Sequence, residues 1–142
     1  MANNARRLFT LDEANARLPL VRAIAIDLST LARDLIDRRQ RLDSLLAGRK
    51  PSSTDVYSDE LADMCKAIER DTRKLDEYVD ELQELGVEAK GAADGLIDFP
   101  AMIDGRLVYL CWKLGESEVM HWHEVDAGFA GRQPLGVTAG AE

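Results

Sequence analysis

The residues best suited to chemistry stand together near the end of the chain, in the tetrapeptide His121-Trp122-His123-Glu124, which holds both histidines of the protein. On a β-strand, residues i and i+2 point to the same face, with their Cβ atoms ~7 Å apart. Two imidazoles at that spacing can reach one metal ion, and Glu124 supplies a carboxylate beside them. The tetrapeptide therefore indicates a metal site, provided that the segment is a strand.

Two residues earlier in the chain could complete such a site. Cys111 offers a thiolate and Asp98 a carboxylate, and both fall in β-prone segments. Imidazole, thiolate and carboxylate ligands together suit Zn²⁺ or Fe²⁺. We predict a metal bound by His121, His123 and Cys111, with Asp98 or Glu124 as the carboxylate that binds the metal or orients a ligand. The alternative is a site without cofactor, in which two polar histidines share a half-exposed face with an inert cysteine.

The segment after the tetrapeptide is rich in glycine and ends in an arginine. Gly128 and Gly131 allow a compact loop whose backbone N–H groups, together with Arg132, could bind a carboxylate or a phosphate. The alternative is a structural role, in which Phe129 closes the open end of the core and Arg132 pairs with an acid such as Glu124 or Asp126.

These candidate residues depend on a predicted antiparallel β-meander of three strands. The β-prone segments cover residues 95–103, 106–114 and 118–124. Asp104-Gly105, between the first two segments, is typical of a two-residue type I′ turn. The sequence therefore predicts one tight hairpin followed by a third strand.

The tight turn also determines which residues lie opposite one another. It pairs Phe99 with Leu110 and Asp98 with Cys111, and residues paired in this way share a face. The face predicted to pack on the helices is apolar and consists of Ile97, Phe99, Ala101, Ile103, Val108, Leu110 and Trp112. Asp98 and Cys111 lie on the other face, which is mixed in polarity.

The connection to the third strand allows two registers with opposite consequences. A two-residue turn over 115–116 would put both histidines on the apolar face. A three-residue loop over 115–117 would put Met120 and Trp122 in the core and both histidines beside Cys111, because a one-residue slip exchanges the two faces. Burial of a large apolar side chain yields ~1.5–3 kcal/mol, whereas a buried imidazole without a partner costs free energy. We favour the three-residue loop.

Residues 9–86 predict a long antiparallel two-helix hairpin. Thr10 and Glu13 have the spacing of a capping box, and apolar residues then recur every three or four positions from Leu11 to Leu46, with a single break at Arg39. A second apolar stripe runs from Leu61 to Leu85 and is interrupted at Asp71 and Thr72. Because the apolar face of the first helix is too broad for one neighbour, we predict that the sheet covers part of it and a second copy of the chain covers the rest, as a homodimer.

Length, composition and charge limit the class of protein. The 142 residues fit one α+β domain, and the net charge of −8 argues against binding to nucleic acid or to an anionic membrane surface. The two cysteines, Cys65 and Cys111, form no Cys-x-x-Cys pair, and no apolar run approaches the ~20 residues of a membrane span. We therefore predict a cytoplasmic protein. Its predicted parts are a hairpin at 9–86, a meander at 95–124, a closing loop at 125–135 and a disordered tail at 136–142.

Several longer motifs carry a family resemblance. They are Phe9-Thr10-Leu11-Asp12-Glu13-Ala14-Asn15, Gly95-Leu96-Ile97-Asp98-Phe99-Pro100-Ala101, Tyr109-Leu110-Cys111-Trp112, and Trp122-His123-Glu124 with Gly128-Phe129-Ala130-Gly131-Arg132-Gln133-Pro134. With these motifs the chain resembles the bacterial family catalogued as domain of unknown function 2203. The resemblance implies a prokaryotic cytoplasmic protein with helices first and a sheet last. It transfers no activity and no site residue.

The sequence thus supports two functions of different classes. The first is a metal- or small-ligand-binding module with its site on the sheet around His121, His123 and Cys111, whether or not it is an enzyme. The second is a structural or adaptor protein that dimerises or binds a protein partner through its helical hairpin and holds no metal.

Overall fold

The computed structural model describes residues 7–48 and 56–136. Two helices precede one five-stranded antiparallel sheet, in which the strands are neighbours in chain order. The elements are α1 (Leu11–Ala47), α2 (Val56–Glu84), β1 (Glu88–Gly91), β2 (Leu96–Ile103), β3 (Arg106–Lys113), β4 (His121–Glu124), a 3₁₀ turn (Phe129–Gly131) and β5 (Gln133–Pro134). Within the described ranges, neither helix combines the length and the apolar character needed to cross a bilayer. Of the tail predicted at 136–142, all but Gly136 lies outside the described residues.

The predicted capping box begins α1. The Thr10 hydroxyl accepts from the Glu13 N–H at 3.1 Å, and the Glu13 carboxylate accepts from the Thr10 N–H at 2.9 Å. The preceding Phe9 is buried, donates its N–H to the Pro100 carbonyl at 2.7 Å, and meets the Phe99 ring edge-on at 5.3 Å. The start of the helix is therefore fixed to the middle of β2.

The polar residues that interrupt the two helical stripes face each other. Arg38 of α1 donates to the Asp71 carboxylate of α2 at 2.7 Å, and Arg39 donates to the Thr72 hydroxyl at 2.6 Å. Only a short connection separates the end of α1 from the start of α2, so the helices pair as a hairpin. These paired breaks hold the two helices in register away from the sheet.

The core lies between α1 and the inner face of the sheet. The apolar stripe predicted for α1 is buried at Ala14, Leu18, Val21, Ala25, Leu28, Ala32 and Leu35. The predicted inner face of the sheet is also buried, at Ile97, Phe99, Ala101, Val108, Leu110 and Trp112. Leu82 of α2 and Val87 complete this cluster from the side.

The register of the first predicted hairpin is confirmed. Asp98 pairs with Cys111 and Phe99 with Leu110. At the turn, Asp104 and Gly105 have φ values of 53° and 75°, the left-handed pair that a type I′ turn requires. Local turn chemistry therefore sets the alignment of the two longest strands.

The prediction of three strands is wrong in its count. The segment left between the predicted hairpin and the predicted meander contains β1, whose Glu88 and Ala89 pair with Asp98 and Ile97. Residues predicted as a closing loop include β5, which pairs with His121 and Trp122 of β4. Both edge strands are short and carry little hydrophobic pattern. They form because the exposed edges of β2 and β4 offer backbone partners, and a local reading of the sequence cannot detect this.

The third predicted strand begins later than expected, at His121 instead of residue 118. Its register is the favoured one, with Leu110 opposite Trp122, but Val119 is buried and Met120 is exposed, which reverses the prediction for Met120. The cause is tertiary: the Val119 N–H donates to the Asn15 side chain of α1 at 2.7 Å. This contact draws the segment before β4 out of the sheet and onto the helix.

Candidate functional site

Three chemically different side chains meet on the outer face of the sheet. Asp98 of β2, Cys111 of β3 and His123 of β4 each offer one donor atom, and these atoms all lie within 4.8 Å of one another. The three residues are 2%, 1% and 2% exposed. Burial this complete is unusual for Asp and His, and such groups are normally paired or bound to a metal. We refer to these residues as the Asp98–Cys111–His123 cluster.

The geometry of the sheet explains which histidine joins the cluster. His121 lies directly opposite Cys111, and His123 lies directly opposite Tyr109. Diagonal neighbours on adjacent strands are ~7–8 Å apart and within reach of a long side chain. His123 uses that diagonal, with its ring packed 5.5 Å from the Tyr109 ring, and approaches Asp98 across β3.

Both ring nitrogens of His123 have acceptors beside them. Nδ1 lies 2.6 Å from the backbone oxygen of Glu124, and Nε2 lies 2.9 Å from Oδ2 of Asp98. A carbonyl oxygen can only accept, so Nδ1 carries a proton. The short contact between Nε2 and Oδ2 needs a second proton, held by either partner. The Glu124 carbonyl thus directs Nε2 toward Asp98 and Cys111.

Burial alters the acidity of the other two members of the cluster. It raises the pKa of Asp98 above its ordinary value, and the attraction of His123 and Lys90 opposes this rise without cancelling it. Burial, followed by repulsion from the Asp98 charge, raises the pKa of Cys111 to about 12, although the Arg132 guanidinium acts in the opposite direction. Cys111 is therefore a neutral thiol at pH 7 and not an activated nucleophile.

Two of the predicted metal ligands lie outside the cluster. His121 is not part of the cluster: its Nδ1 is buried 3.8 Å from Oε2 of Glu116 and has no hydrogen-bond partner among the described residues. The Glu124 carboxylate pairs with Arg106 at 3.0 Å, and only its backbone oxygen takes part, through His123. Of the five predicted metal ligands, the structure therefore brings together three: Asp98, Cys111 and His123.

The predicted anion site has its arginine engaged by a carboxylate. Both terminal nitrogens of Arg132 donate to Glu116, at 3.1 and 2.6 Å, and the guanidinium lies 4.4 Å from the centre of the Phe129 ring. Gly128 and Gly131 begin and end one 3₁₀ turn, joined by an N–H to carbonyl bond of 3.1 Å. An anion at this place would have to displace Glu116, and the anion site stays a prediction.

The structural alternative for this loop is also corrected. Phe129 is 40% exposed on the outer side of the sheet and does not close the core, and Arg132 pairs with Glu116 instead of Glu124 or Asp126. Glu116 also accepts from the Lys113 N–H at 2.9 Å, so it organises the turn after β3. Sequence analysis could not assign this role to Glu116, because an acid in a loop has no periodicity to place it.

Tyr109 is a residue of the site that could have been found. The hairpin register already put it on the outer face, in direct line with the third strand. Its hydroxyl donates to Glu88 at 3.0 Å, and Lys90 lies 4.8 Å from the centre of its ring. Tyr109 thus connects the His123 ring to β1, the strand that sequence analysis did not foresee.

Comparison with known proteins identifies the family of the chain. Residues 7–135 match the family described as "Uncharacterized conserved protein (DUF2203)". The match spans nearly the whole sequence, so the chain belongs to this family. No curated protein and no solved structure matches the chain.

Proposed function

We propose that this member of the DUF2203 family is a metal-binding module that holds one divalent ion, Zn²⁺ or Fe²⁺, on Asp98, Cys111 and His123. The observation that carries the proposal is the convergence of a carboxylate oxygen, a sulfur and an imidazole nitrogen within 4.8 Å, all of them buried. Mixed oxygen, sulfur and nitrogen ligands are typical of zinc and non-haem iron sites.

The spacing of the donors supports this role. Bonds of about 2.0–2.3 Å to a tetrahedral zinc ion put ligand atoms roughly 3.3–3.8 Å apart. Nε2 and Oδ2 are 2.9 Å apart without a metal, and the widest separation in the cluster is at most 4.8 Å. Side-chain rotations that move the donor atoms by on the order of 1 Å would therefore form the site without any change in strand register.

The surroundings of His123 support the same role. A histidine that binds a metal usually donates its other ring N–H to a carbonyl or a carboxylate, which fixes the tautomer and aims the lone pair. The bond from Nδ1 to the Glu124 carbonyl is of this kind. It leaves Nε2 directed at the other two donors.

The acidity of Cys111 favours a metal ligand over a cysteine nucleophile. A thiol with a pKa of about 12 is protonated at neutral pH, so it attacks no substrate by itself. A bound divalent ion deprotonates a coordinating thiol outright, and burial then shields the metal–sulfur bond. The same burial that makes Cys111 inert alone makes it a suitable ligand.

The two histidines provide a matched experiment. His121→Ala and His123→Ala change the same residue type on the same strand and face, but only His123 belongs to the cluster. We expect untagged protein to bind one Co²⁺ with a thiolate-to-cobalt charge-transfer band, which is retained in His121→Ala and lost in His123→Ala and in Cys111→Ser.

The structural alternative predicts a different result. If the cluster only hydrogen-bonds within itself, no variant alters metal content, because the folded wild type binds none. Absence of zinc, iron and cobalt from wild-type protein after equilibration with each metal would refute the proposed site. Circular dichroism of every variant separates loss of metal from loss of fold.

A structural or adaptor role, with dimerisation through the helical hairpin, is the second candidate function. Three large apolar side chains of α1 are about half exposed, Leu20 at 50%, Ile26 at 46% and Ile36 at 47%. An adaptor would use such residues for pairing, while the sheet served only as a cover. Sedimentation equilibrium tests this: Ile36→Glu should convert a dimer to a monomer, and a wild-type monomer at ~100 μM would contradict the candidate.

The compartment follows from the same proposal. Cys65 and Cys111 are both free, and Cys111 is needed as a reduced thiol. A reducing cytoplasm keeps it in that form. We therefore propose that the protein acts there, which localisation of a tagged chain can test.

A further inference from the structure

A cavity opens directly onto the cluster on the outer side of the sheet. It has a volume of about 260 Å³. Its lining combines all three proposed ligands with apolar side chains, one cation and one glycine: Asp98, Cys111, His123, Leu96, Val125, Phe129, Lys90 and Gly128. We infer that this cavity binds a small carboxylate with a short apolar body, which takes the coordination position that the three protein ligands leave open. The inference rests on the proposed metal site.

The direction of the open position follows from the sheet. The three donors project from one face of β2, β3 and β4, and the opposite face of those strands is packed with Phe99, Leu110 and other core residues. Three protein ligands leave one position of a tetrahedral zinc free, as in catalytic sites. That position faces the cavity, because the core side is filled.

The volume of the cavity limits the size of the ligand, and its apolar side chains favour a ligand with an apolar body. A volume of about 260 Å³ lies just below the range of roughly 300–1,000 Å³ for drug-sized ligands. Leu96, Val125 and Phe129 offer apolar contact, and Val125 and Phe129 are 48% and 40% exposed. A ligand of about the size of a single aromatic ring would cover part of that exposed surface.

A donor at the cavity favours an anion. A divalent ion bound by two anionic ligands and a neutral imidazole has no net charge, so the preference rests on the N–H donors of the cation that lines the cavity, whose charge Glu88 balances. Lys90 is that cation. Its ammonium group lies 3.0 Å from Glu88 and 4.8 Å from the Tyr109 ring centre, and a lysine has three N–H donors. One donor serves Glu88, which leaves capacity for the carboxylate of a ligand.

The test uses Co²⁺-loaded protein, with benzoate as the probe and neutral benzamide as its matched control. We expect benzoate to change the visible Co²⁺ bands saturably, since it enters the coordination sphere, and benzamide to have little effect. Lys90→Met should weaken benzoate binding about tenfold, the low end for a hydrogen bond to a charged group, because the site is partly open. Lys74→Met, at an exposed position of α2, should leave benzoate binding unchanged.

The possible outcomes separate this inference from the metal site. A normal thiolate-to-cobalt band that benzoate does not alter would refute the ligand site and leave the metal site standing. Equal binding of benzamide and benzoate, or no effect of Lys90→Met, would refute the preference for an anion. Failure to bind cobalt at all would remove both proposals.

Discussion

Loading the Asp98–Cys111–His123 cluster with Zn²⁺ should release two protons per ion. One proton is that of the Cys111 thiol, whose pKa of about 12 leaves only about one molecule in 10⁵ ionised at pH 7. The other is the proton in the 2.9 Å contact between Nε2 of His123 and Oδ2 of Asp98, which must leave before either atom can bind a metal. The proton on Nδ1 stays on that nitrogen, which donates it to the Glu124 carbonyl oxygen.

The number of protons released determines how the zinc affinity depends on pH. Release of two protons makes the apparent zinc affinity rise about 100-fold for each pH unit, until one of the groups ionises in the free protein. Asp98→Asn cannot carry an acidic proton, so only the thiol proton is lost and the affinity rises about tenfold per unit. The variant is nearly isosteric but replaces a carboxylate ligand with a neutral amide, so its zinc affinity should be lower at every pH and only the slope with pH is compared.

Calorimetry in buffers of different ionisation enthalpy measures the protons released. At pH 6 a zinc-bound water with a pKa of about 7 keeps its proton and does not add to the count. His121→Ala should match the wild type, since its ring lies outside the cluster. Release of one proton or fewer by the wild type, or an equal release by Asp98→Asn, would refute the protonation scheme drawn from the hydrogen bonds.

Three further predictions concern stability. Burial alone would raise the pKa of Glu116, but hydrogen bonds from Arg132 and the backbone outweigh it and lower the pKa. A lowered carboxyl pKa stabilises the fold above the unfolded value of about 4.3 and ceases to do so as the pH falls through the folded value. Glu116→Gln should therefore lower the free energy of unfolding in urea at pH 7, and much less at pH 3. Phe99→Ala, in the core, should cost about 3–5 kcal/mol of the same free energy. Gly105→Ala should cost about 1 kcal/mol, because φ is 75°.

Each of these has a matched control in the same chain. Glu118→Gln removes an exposed carboxylate from the same segment and should change the free energy of unfolding at pH 7 by less than about 0.5 kcal/mol. Met102→Ala changes a side chain that is 53% exposed on the strand of Phe99 and should cost less than about 1 kcal/mol. Gly48→Ala, at φ −97° in open space, should be neutral or stabilising. Equal losses in a variant and its control would contradict the corresponding assignment.

The parts of the fold governed by local chemistry could be predicted from the sequence. The Thr10 capping box and the Asp104-Gly105 turn each involve residues a few positions apart, and both are confirmed. The turn carries its information along two whole strands, since side chains alternate with a period of two. For this reason Asp98 and Cys111 were placed side by side correctly.

The parts of the fold that depend on distant contacts could not be predicted from the sequence. β1 and β5 exist because a sheet edge recruits them, and the Val119 N–H leaves the sheet because Asn15, more than 100 positions earlier, accepts it. The choice of His123 over His121 has a similar cause. Direct opposition in a flat sheet favours His121 beside Cys111, whereas a twisted sheet brings a diagonal neighbour within reach.

The two short outer strands have a consequence for how this chain behaves when crowded. An unprotected sheet edge can template pairing with other chains and lead to fibrous aggregates. Here one edge is only four residues long, carries Lys90 and has an irregular pairing between Ala89 and Gly91. The other edge is two residues long and ends in Pro134, which has no N–H to offer. Both borders of the sheet are therefore poor templates, and strand-by-strand polymerisation is blocked at each end.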